Sequence, residues 1–342
     1  MSRILILGGS VFLGQAVAEA ALRRGHKVTT FNRGRSGTDV EGVETVRGDR
    51  DEPGDLERLV AGRRWDAIVD TCGFVPRSVS TGAAVLSSHA DHYVFVSSVS
   101  AFQDWPAHPI DERSPRWDCA SDADEPDGTY GPYKAGCERA VREHFVGTVC
   151  VVSPGIIVGP GENVGRLPWW LRRVAAGGAP APGTGDREIQ LIDVRDLAEF
   201  LVSRAERPAD GDLLATAPLG QATFAEWLAL CTEVTGAQSG EDLMRMDEDF
   251  LLEQGVAPWT ELPLWAPARA DWRHAWSVSS AAAFAEGLTC RPLAETVADT
   301  WEWLRRTPEF RGKPKIGMDP AKERRLVAAW RAREAGRGEA AG

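Results

Sequence analysis

The chain has 342 residues, a formal net charge of −11 and 43 % hydrophobic residues. This hydrophobic content excludes an intrinsically disordered protein, and the acidic balance gives no overall positive field to attract phosphate backbones, so nucleic acid is not an expected partner. No apolar stretch approaches the ~20 residues of a membrane span, and the apolar run before the first glycines is too short for a secretory signal, so we expect a cytoplasmic protein without a membrane partner.

Short apolar runs alternate with helical patterns through the first half of the chain. The apolar runs predict strands at residues 4–7, 28–31, 43–46, 67–69, 93–96 and 149–152. Helical spacing of Ala, Leu or Val predicts helices at residues 12–24, 53–61, 78–88 and 134–145. Alternation at this spacing predicts an α/β fold in which a parallel sheet is covered by helices on both faces.

The second half of the chain is less regular. A segment rich in Pro and Gly follows residue 159, then come an apolar run at 188–194, a helix near 195–205 and a segment at 212–217 that is expected to rejoin the sheet. Beyond residue 223 the pattern predicts helices near 224–235, 246–254 and 292–305, and a basic amphipathic helix at 320–334 whose Leu326 and Trp330 dock on the body. We therefore expect an α/β domain at 1–160 rejoined by 187–217, a smaller, mostly helical lobe at 161–186 and 218–335, and a flexible tail at 336–342.

A glycine-rich turn joins the first predicted strand to the first predicted helix, in the string Gly8-Gly9-Ser10-Val11-Phe12-Leu13-Gly14. In this position a helix N-terminus offers free N–H groups and a partial positive charge to a pyrophosphate. Gly8 permits the tight turn and Gly14 lets the helix pack close to the strand. Val11 stands where the pattern has its middle glycine, and its branched side chain restricts the approach of the backbone to phosphate.

The second predicted strand ends at Asn32, with Arg33 and Arg35 directly after it. An acidic residue here would accept hydrogen bonds from the adenosine ribose and repel a 2′-phosphate. Guanidinium groups match phosphate geometry instead, so the sequence favours NADP(H) over NAD(H). Asp49, after the third strand, is placed to meet the adenine ring.

Tyr130 and Lys134 stand four residues apart, so on a helix they project from one face. A cation held there favours the phenolate and readies the Tyr130 hydroxyl to exchange a proton with a substrate oxygen. A surface lysine beside a half-buried tyrosine is the alternative interpretation of the same spacing. The six cysteines are scattered without a C-x-x-C pair, which indicates reduced thiols and no metal site.

Six strings in order resemble the extended short-chain dehydrogenase/reductases, the superfamily of NAD-dependent epimerases and dehydratases. The strings are GGSVFLG, VRGDRD, YVFVSSVSAF, TYGPYKAGCE, SPGIIVGPG and SSAAAFAEGLTCRPLAETVADTWEWL. The resemblance covers nearly the whole chain and implies a doubly wound parallel Rossmann sheet. It also implies that the domain at 1–160, rejoined by 187–217, binds the dinucleotide and that the smaller lobe binds the substrate. Helices flanking the sheet often form dimers in this superfamily, so a homodimer is among the expectations.

The resemblance also implies residue roles. Ser98 would polarise a carbonyl, Tyr130 would donate or accept the proton, and Lys134 would hold the nicotinamide ribose while lowering the pKa of Tyr130. The residues expected to contact the cofactor are Gly8, Gly9, Ser10, Phe12, Leu13, Gly14, Asn32, Arg33, Arg35, Asp49, Cys72, Gly73, Ser97, Tyr130, Lys134, Pro154 and Gly155.

The chain departs from the family where relatives hold nucleotide sugars. Ile156 or Ile157 stands where those relatives have Asn, and Ile189 where they have Arg. A smaller or more apolar carbonyl compound is therefore expected as the substrate, with Ile156, Trp169 and Arg187 as candidate contacts.

Three functions follow as hypotheses. The first is an NADP(H)-dependent oxidoreductase that interconverts a carbonyl and a secondary alcohol on a small metabolite. The second is an epimerase or dehydratase acting on a sugar or sugar nucleotide, with the cofactor transiently reduced. The third is a non-catalytic protein that senses a dinucleotide or binds RNA, since relatives resembling chloroplast stem-loop RNA-binding proteins also lack the middle glycine.

Overall fold

The computed structural model describes residues 1–125, 128–183, 186–237, 243–313 and 316–341, with side chains as far as residue 337. Its strands are β1 (Arg3–Leu7), β2 (Lys27–Asn32), β3 (Glu44–Arg47), β4 (Ala67–Asp70), β5 (His92–Val96), β6 (Thr148–Pro154), β7 (Ile156–Val158), β8 (Ala179–Pro182), β9 (Glu188–Ile189), β10 (Leu191–Asp193), β11 (Gly211–Ala215), β12 (Ala222–Thr223), β13 (Leu243–Met246), β14 (Pro258–Trp259) and β15 (Leu262–Pro263). Its helices are α1 (Leu13–Arg23), α2 (Pro53–Val60), α3 (Pro76–Leu86), α4 (Tyr130–His144), α5 (Arg166–Ala175), α6 (Val194–Glu206), α7 (Phe224–Thr235), α8 (Glu248–Glu253), α9 (Ala281–Ala285), α10 (Leu293–Arg306) and α11 (Pro320–Ala341).

The chain divides into two compact units. The first unit comprises Met1–Ile157, Gln190–Leu219 and His274–Arg291, and the second comprises Val158–Ile189, Gly220–Arg273 and Pro292–Gly342. This division places His274–Arg291 with the first unit, whereas the sequence pattern assigned that stretch to the smaller lobe. The functional domain boundaries expected from the sequence remain a prediction.

A seven-stranded parallel sheet forms the centre of the first unit, in the order β11-β6-β5-β4-β1-β2-β3. The prediction of a doubly wound parallel sheet is therefore confirmed. The chain builds outward from β1 in one direction and then returns to build from β4 in the other, so the strand order reverses between β1 and β4. Ligands of such sheets bind beyond the carboxyl ends of the strands at this reversal.

Two buried apolar clusters cover the two faces of the sheet. Along β1, successive side chains alternate between these two clusters. Ile4 and Ile6 lie in one buried cluster, which includes side chains of α1 and α6. Leu5 and Leu7 lie in the other, with side chains of α2, α3 and α4. Successive side chains of a strand point to opposite faces, so a strand that is apolar throughout is buried on both.

The second unit is mostly helical and has an aromatic core. Trp170 on α5 packs edge-on against Phe224 and Trp227 of α7, with ring centroids 5.9 and 5.7 Å apart. On α11, Leu326 and Trp330 are buried, and the Trp330 ring lies 4.9 Å from that of Phe250, as the amphipathic pattern predicted. The helix α11 continues to Ala341, past the position where a flexible tail was expected to begin, and Gly342 lies outside the described residues.

In the part of the chain that the structure describes, none of the helices is both long enough and apolar enough to cross a membrane.

Candidate functional site

The glycine turn lies at the carboxyl end of β1, beside the reversal of strand order. Gly8 and Gly9 have φ angles of +105° and +90°, which L side chains rarely adopt. A Cβ on Gly8 would lie 2.7 Å from the Thr71 hydroxyl oxygen, and one on Gly14 would lie 2.7 Å from the backbone nitrogen of Gly9. The turn therefore packs so closely that these glycines have no substitute.

The turn also shows how the chain tolerates Val11. The positive φ falls on the next residue, Phe12, at 40°, and not on Val11. Phe12 is the N-cap residue of α1, and no side-chain hydrogen bond caps the helix within the described residues. The first N–H groups of a helix lack intrahelical partners, so this uncapped N-terminus, with Ser10 buried and Leu13 in the first turn, fits a bound phosphate group.

The loop after β2 lies against the same turn, which the sequence did not indicate. A Cβ on Gly37 would collide with the backbone oxygen of Ser10 and approach the Val11 side chain to 3.2 Å. Gln15 on α1 holds the loop through a hydrogen bond from Nε2 to the Thr38 carbonyl oxygen, at 3.0 Å. The loop thus extends the candidate cofactor site beyond the glycine turn.

The polar residues at the end of β2 are tied to that site. Asn32 donates from its side-chain amide to the Gly8 carbonyl oxygen at 3.3 Å and accepts from the Gly34 N–H at 2.9 Å. Arg33 pairs with Asp49, with 3.6 Å between Nη1 and Oδ2, so the structure brings together two residues predicted to hold the adenosine end of the cofactor. Arg33 remains half exposed and Arg35 is exposed.

Lys134 lies on the buried face of α4, with 3 % of its surface exposed. Its ammonium donates to the Gly73 carbonyl oxygen at 2.8 Å and to the Val96 carbonyl oxygen at 2.6 Å. Gly73 lies in the loop after β4, and Val96 is the last residue of the neighbouring strand β5. Burial lowers the pKa of the Lys134 ammonium from its ordinary value of 10.5. An ammonium has three donors, and among the described residues these two carbonyl oxygens use two of them, which leaves one N–H for a ligand beside the Phe95 ring at 4.5 Å.

Tyr130 and Ser98 belong to segments that touch. Tyr130 begins α4 and is 53 % exposed, whereas Ser98 is 9 % exposed and its hydroxyl oxygen accepts from the Ser100 N–H at 3.1 Å. Between them, Gly131 lies so close to the Ser100 carbonyl oxygen that any Cβ would overlap it. The start of α4 therefore packs directly on the turn that follows Ser98, a role for Gly131 that the sequence analysis missed.

A buried carboxyl group also supports this segment. Ser97 donates its hydroxyl to Glu138, which lies on the same face of α4 as Lys134, one turn further along. Burial raises the pKa of Glu138, although Ser97 and the guanidinium of Arg116, 3.4 Å away, act against this shift. The predicted cofactor residue Ser97 is thereby fixed in orientation by a partner that the motif did not specify.

A second buried network lies beneath Cys72 and Gly73. Arg50 makes a two-pronged ion pair with Asp70 at 3.0 Å for each contact, and the Tyr93 hydroxyl donates to the same carboxylate at 2.8 Å. Burial would raise the pKa of Asp70, but the Arg50 charge outweighs it and the pKa is lowered. The Cys72 N–H donates to Asp70 at 3.0 Å, so this network positions the loop that presents the Gly73 carbonyl to Lys134.

The cysteines carry no reactive signature. Burial raises the pKa of Cys72 to about 11 and that of Cys150 to about 11, so both are protonated thiols at neutral pH. Within the described ranges, no group of three or more His, Cys, Asp or Glu side chains could hold a metal ion.

The remaining predicted residues fall in both units. Pro154 ends β6, and the Gly155 N–H donates to the Ala215 carbonyl oxygen at 3.1 Å. Ile156 in the first unit lines a small recess with Gly155. In the second unit, Trp169 stacks edge-on against Trp170 at 4.9 Å. Arg187 there donates to the carbonyl oxygens of Ala266 and Arg273, so two of its N–H groups serve the unit's own fold.

Comparisons with known proteins agree with this fold. A model of the NAD dependent epimerase/dehydratase family matches residues 4–214. Among solved structures, the chain is similar to the Bordetella bronchiseptica enzyme WbmH in complex with NAD+, with a TM-score of 0.68 and 17 % identity over 89 % of this chain and 99 % of that one. It is also similar to the WbmG enzyme of the same organism in complex with NAD and UDP, with a TM-score of 0.67 and 17 % identity over 90 % and 96 % of the two chains. At these identities the likeness shows the fold alone.

Three curated proteins are similar in sequence. A 2′-dehydrokanamycin reductase of Streptomyces kanamyceticus is 34 % identical over 64 % of this chain, and a 2-alkyl-3-oxoalkanoate reductase of Stenotrophomonas maltophilia is 26 % identical over 60 % of it. The matches span 63 % and 66 % of those two reductases, less than two thirds of each. The chloroplast stem-loop binding protein of 41 kDa b of Arabidopsis thaliana is 24 % identical over 72 % of this chain and 67 % of its own length.

Proposed function

Because the chain belongs to the NAD dependent epimerase/dehydratase family, we propose that it is an NADP(H)-dependent oxidoreductase that interconverts a carbonyl and a secondary alcohol on a small metabolite. The observation that carries this proposal is the Lys134 ammonium, buried on the carbonyl oxygens of Gly73 and Val96, four residues along α4 from the exposed Tyr130. A buried lysine beside an accessible tyrosine at the carboxyl edge of a parallel sheet suits proton transfer next to a dinucleotide. The two relatives named as reductases support the same class of reaction.

Each candidate residue would have a separate role in binding or in proton transfer. The glycine turn and the uncapped start of α1 would hold the pyrophosphate, and the remaining N–H of Lys134 would bond a ribose hydroxyl. When bound, the nicotinamide supplies or accepts the hydride. Ser98 would donate a hydrogen bond to the substrate oxygen, and Tyr130 would give that oxygen a proton during reduction and take it back during oxidation.

The preference for NADP(H) rests on charge at the end of β2. Arg33 and Arg35 present half-exposed and exposed guanidinium groups, and the amide of Asn32 is engaged with the backbone of Gly8 and Gly34. Arg33 is paired with Asp49, and Arg47, which contacts Asn32, is paired with Asp39, so the guanidinium groups of Arg33, Arg35 and Arg47 outnumber these two carboxylates. A 2′-phosphate would therefore meet a net positive charge, with no carboxylate at position 32 itself to repel it.

The test replaces the proton carrier and leaves the fold intact. Tyr130→Phe is expected to bind NADPH, measured by nucleotide fluorescence, within about twofold of the wild type, and to lose at least 100-fold in ketone reduction followed at 340 nm. Tyr133→Phe is the matched control, because Tyr133 lies three residues along the same helix and its hydroxyl bonds the backbone of Glu125. Equal turnover in the wild type and Tyr130→Phe would remove the proposal.

The same preparation separates the alternatives. Tightly retained cofactor and conversion of a sugar nucleotide with no net absorbance change at 340 nm would indicate an epimerase or dehydratase instead. A protein that binds neither dinucleotide would point to the non-catalytic function.

A further inference from the structure

The carboxylate of Asp39 lies at the end of β2, where position 32 itself carries no acidic group. One Asp39 oxygen, Oδ1, accepts from the Asn32 side-chain amide at 3.4 Å and from Nη1 of Arg47 at 3.1 Å. The other oxygen accepts from Nη2 of the same guanidinium, and Nη1 also donates to the side-chain oxygen of Asn32. Asn32, Asp39 and Arg47 therefore form a closed polar triangle beside the Gly8 carbonyl oxygen, to which the Asn32 amide donates.

Backbone packing fixes the loop that carries Asp39. Gly34 turns the chain after β2 with a φ of +67°, and its Cα lies so close to the Arg47 guanidinium that a Cβ would come within 3.0 Å of Nε. Gly37 packs against the Ser10 carbonyl oxygen, which any Cβ at that position would overlap. The loop therefore returns Asp39 to the end of β2 by contacts that need glycine at two positions.

A carboxylate and a guanidinium have opposite effects at this place in the fold. Beyond the second strand of such sheets, a carboxylate accepts from the 2′-hydroxyl of the adenosine ribose, whereas an arginine accommodates a 2′-phosphate. Here both groups are present, and both Nη groups of Arg47 are directed at Asp39. These are the donors that a phosphate would use for a two-pronged contact.

The pair is accessible enough to be exchanged for a ligand. The Arg47 side chain is 51 % exposed and that of Asp39 is 29 % exposed, so a phosphate can reach the guanidinium from solvent. Ion pairs with this much exposure contribute little to stability, because water screens them. A dianionic phosphate can therefore take the guanidinium from the carboxylate, but it must do so against a like charge.

We propose that Asp39 is an internal competitor for the 2′-phosphate and thereby sets the cofactor preference. Asp39 can accept from a free 2′-hydroxyl while it keeps its pair with Arg47, whereas a 2′-phosphate binds Arg47 only by displacing Asp39. The preference for NADP(H) is thus smaller than the arginines at this site would otherwise give. This inference rests on the proposed function, which places the adenosine end of the cofactor at the end of β2. Asp39 is a specificity-determining residue and takes no part in the transfer of hydride or proton.

The test measures the affinity for NADPH and NADH by nucleotide fluorescence in variants on each side of the pair. Asp39→Asn keeps the size of the side chain and removes its charge, so NADPH should bind about tenfold more tightly and NADH no more tightly than in the wild type. Arg47→Ala should weaken NADPH binding about tenfold and change NADH binding by less than about threefold. A pair that only held the loop in place would give losses from either side and for both nucleotides.

Asp91→Asn is the matched control. Asp91 pairs with Arg64 and directly precedes β5, so it lies at the amino ends of the strands, away from the cofactor site. The control makes the same change in net charge and also removes an ion pair, and it should keep the wild-type ratio of the two affinities.

A second pair of probes restricts the measurement to the adenosine end. Adenosine 2′,5′-bisphosphate and AMP differ only in the 2′-phosphate and lack the nicotinamide. Calorimetric titration should show tighter binding of the bisphosphate in Asp39→Asn, weaker binding in Arg47→Ala, and no such shifts for AMP.

The outcomes separate this inference from the proposed function. The inference is overturned if Asp39→Asn weakens NADPH binding, or if its ratio of NADPH to NADH affinity stays within about twofold of the wild type. An equal shift of the ratio in Asp91→Asn also overturns it, since net charge alone would then account for the effect. Opposite shifts in Asp39→Asn and Arg47→Ala, together with turnover that does not depend on Tyr130, support the inference and overturn the proposed reaction. Failure to bind either dinucleotide overturns both.

Discussion

Replacement of Gly131 by alanine tests the packing that sets the candidate site. The added Cβ would lie less than 3.0 Å from the Ser100 carbonyl oxygen, a distance that Cβ atoms in proteins essentially never adopt. It would also lie 3.2 Å from the Trp117 indole nitrogen. Ordinary contact begins at 3.4 Å and the added Cβ would overlap the Ser100 carbonyl oxygen, so the start of α4 must move from the Ser100 backbone by about 1 Å. A backbone carbonyl cannot turn aside as a flexible side chain does.

The magnitude follows from two opposing effects. Overpacking of this kind costs about 1–3 kcal/mol, whereas removing a glycine from a helix gains about 0.5–1 kcal/mol. The expected net loss is about 1–2 kcal/mol. The shift also separates Tyr130 from Ser98, and since a 1 Å misplacement costs about 100-fold in rate, turnover should fall about 100-fold.

Gly54→Ala supplies the matched control. Gly54 is likewise the second residue of a helix, but the nearest atom to its added Cβ is a flexible Arg58 nitrogen at 3.9 Å, so this variant should be as stable as the wild type or slightly more so. Urea unfolding followed by circular dichroism should separate the two variants by about 0.7 M in midpoint at ~3 kcal/mol per M. If Gly131→Ala matches Gly54→Ala in both midpoint and turnover, the close packing of α4 on the turn after Ser98 is refuted.

Three further predictions concern the cofactor site and the buried network. Arg33→Ala and Arg35→Ala should each weaken NADPH binding about tenfold without changing NADH binding, measured by fluorescence titration with Arg58→Ala as the control; equal losses for both nucleotides would contradict the assigned 2′-phosphate contact. Val11→Gly should change NADPH affinity by less than about threefold, because the positive φ falls on Phe12 and not on position 11; a gain above tenfold would show that Val11 obstructs the pyrophosphate. Asp70→Asn should destabilise the protein by about 3 kcal/mol at pH 7, since it leaves Arg50 buried without its partner. The pKa of Asp70 is lowered below its ordinary 3.8, so the stability it contributes is present above that value and is lost as pH falls through the lower folded pKa. The difference between wild type and Asp70→Asn should therefore be constant from about pH 5 to 8 and shrink below about pH 4; a difference that grows on acidification would contradict the pairing.

Local pattern was enough to predict the sheet and the placement of the motifs. Continuous apolar runs such as that of β1 indicate strands buried on both faces, and glycines between a strand and a helix indicate a turn that binds phosphate. The four-residue spacing placed Lys134 on the same helix as Tyr130. The predicted start of that helix at Lys134 was late by four residues, because Pro132 lies in the first turn, where its missing N–H costs nothing.

Contacts between distant parts of the chain could not be predicted in this way. Arg50 and Asp70 are 20 residues apart and belong to different elements, so no spacing rule joins them. Thr216 is one of many polar residues until the fold brings it over Gly155. The return of His274–Arg291 to the first unit likewise depends on tertiary packing and leaves no periodic signal.

The anchoring of Lys134 on main-chain oxygens has a consequence for how such a protein can diversify. The two acceptors are peptide carbonyls, so exchanges of neighbouring side chains along the rim would leave the cation where it is. Position 73 itself must stay glycine, because an added Cβ would lie 2.5 Å from the Phe95 ring. Selection can then remodel the surrounding cavity for new metabolites without re-establishing the charge each time. Directed evolution libraries that spare the backbone geometry of these two peptides should accordingly retain more functional members than libraries that insert or delete residues there.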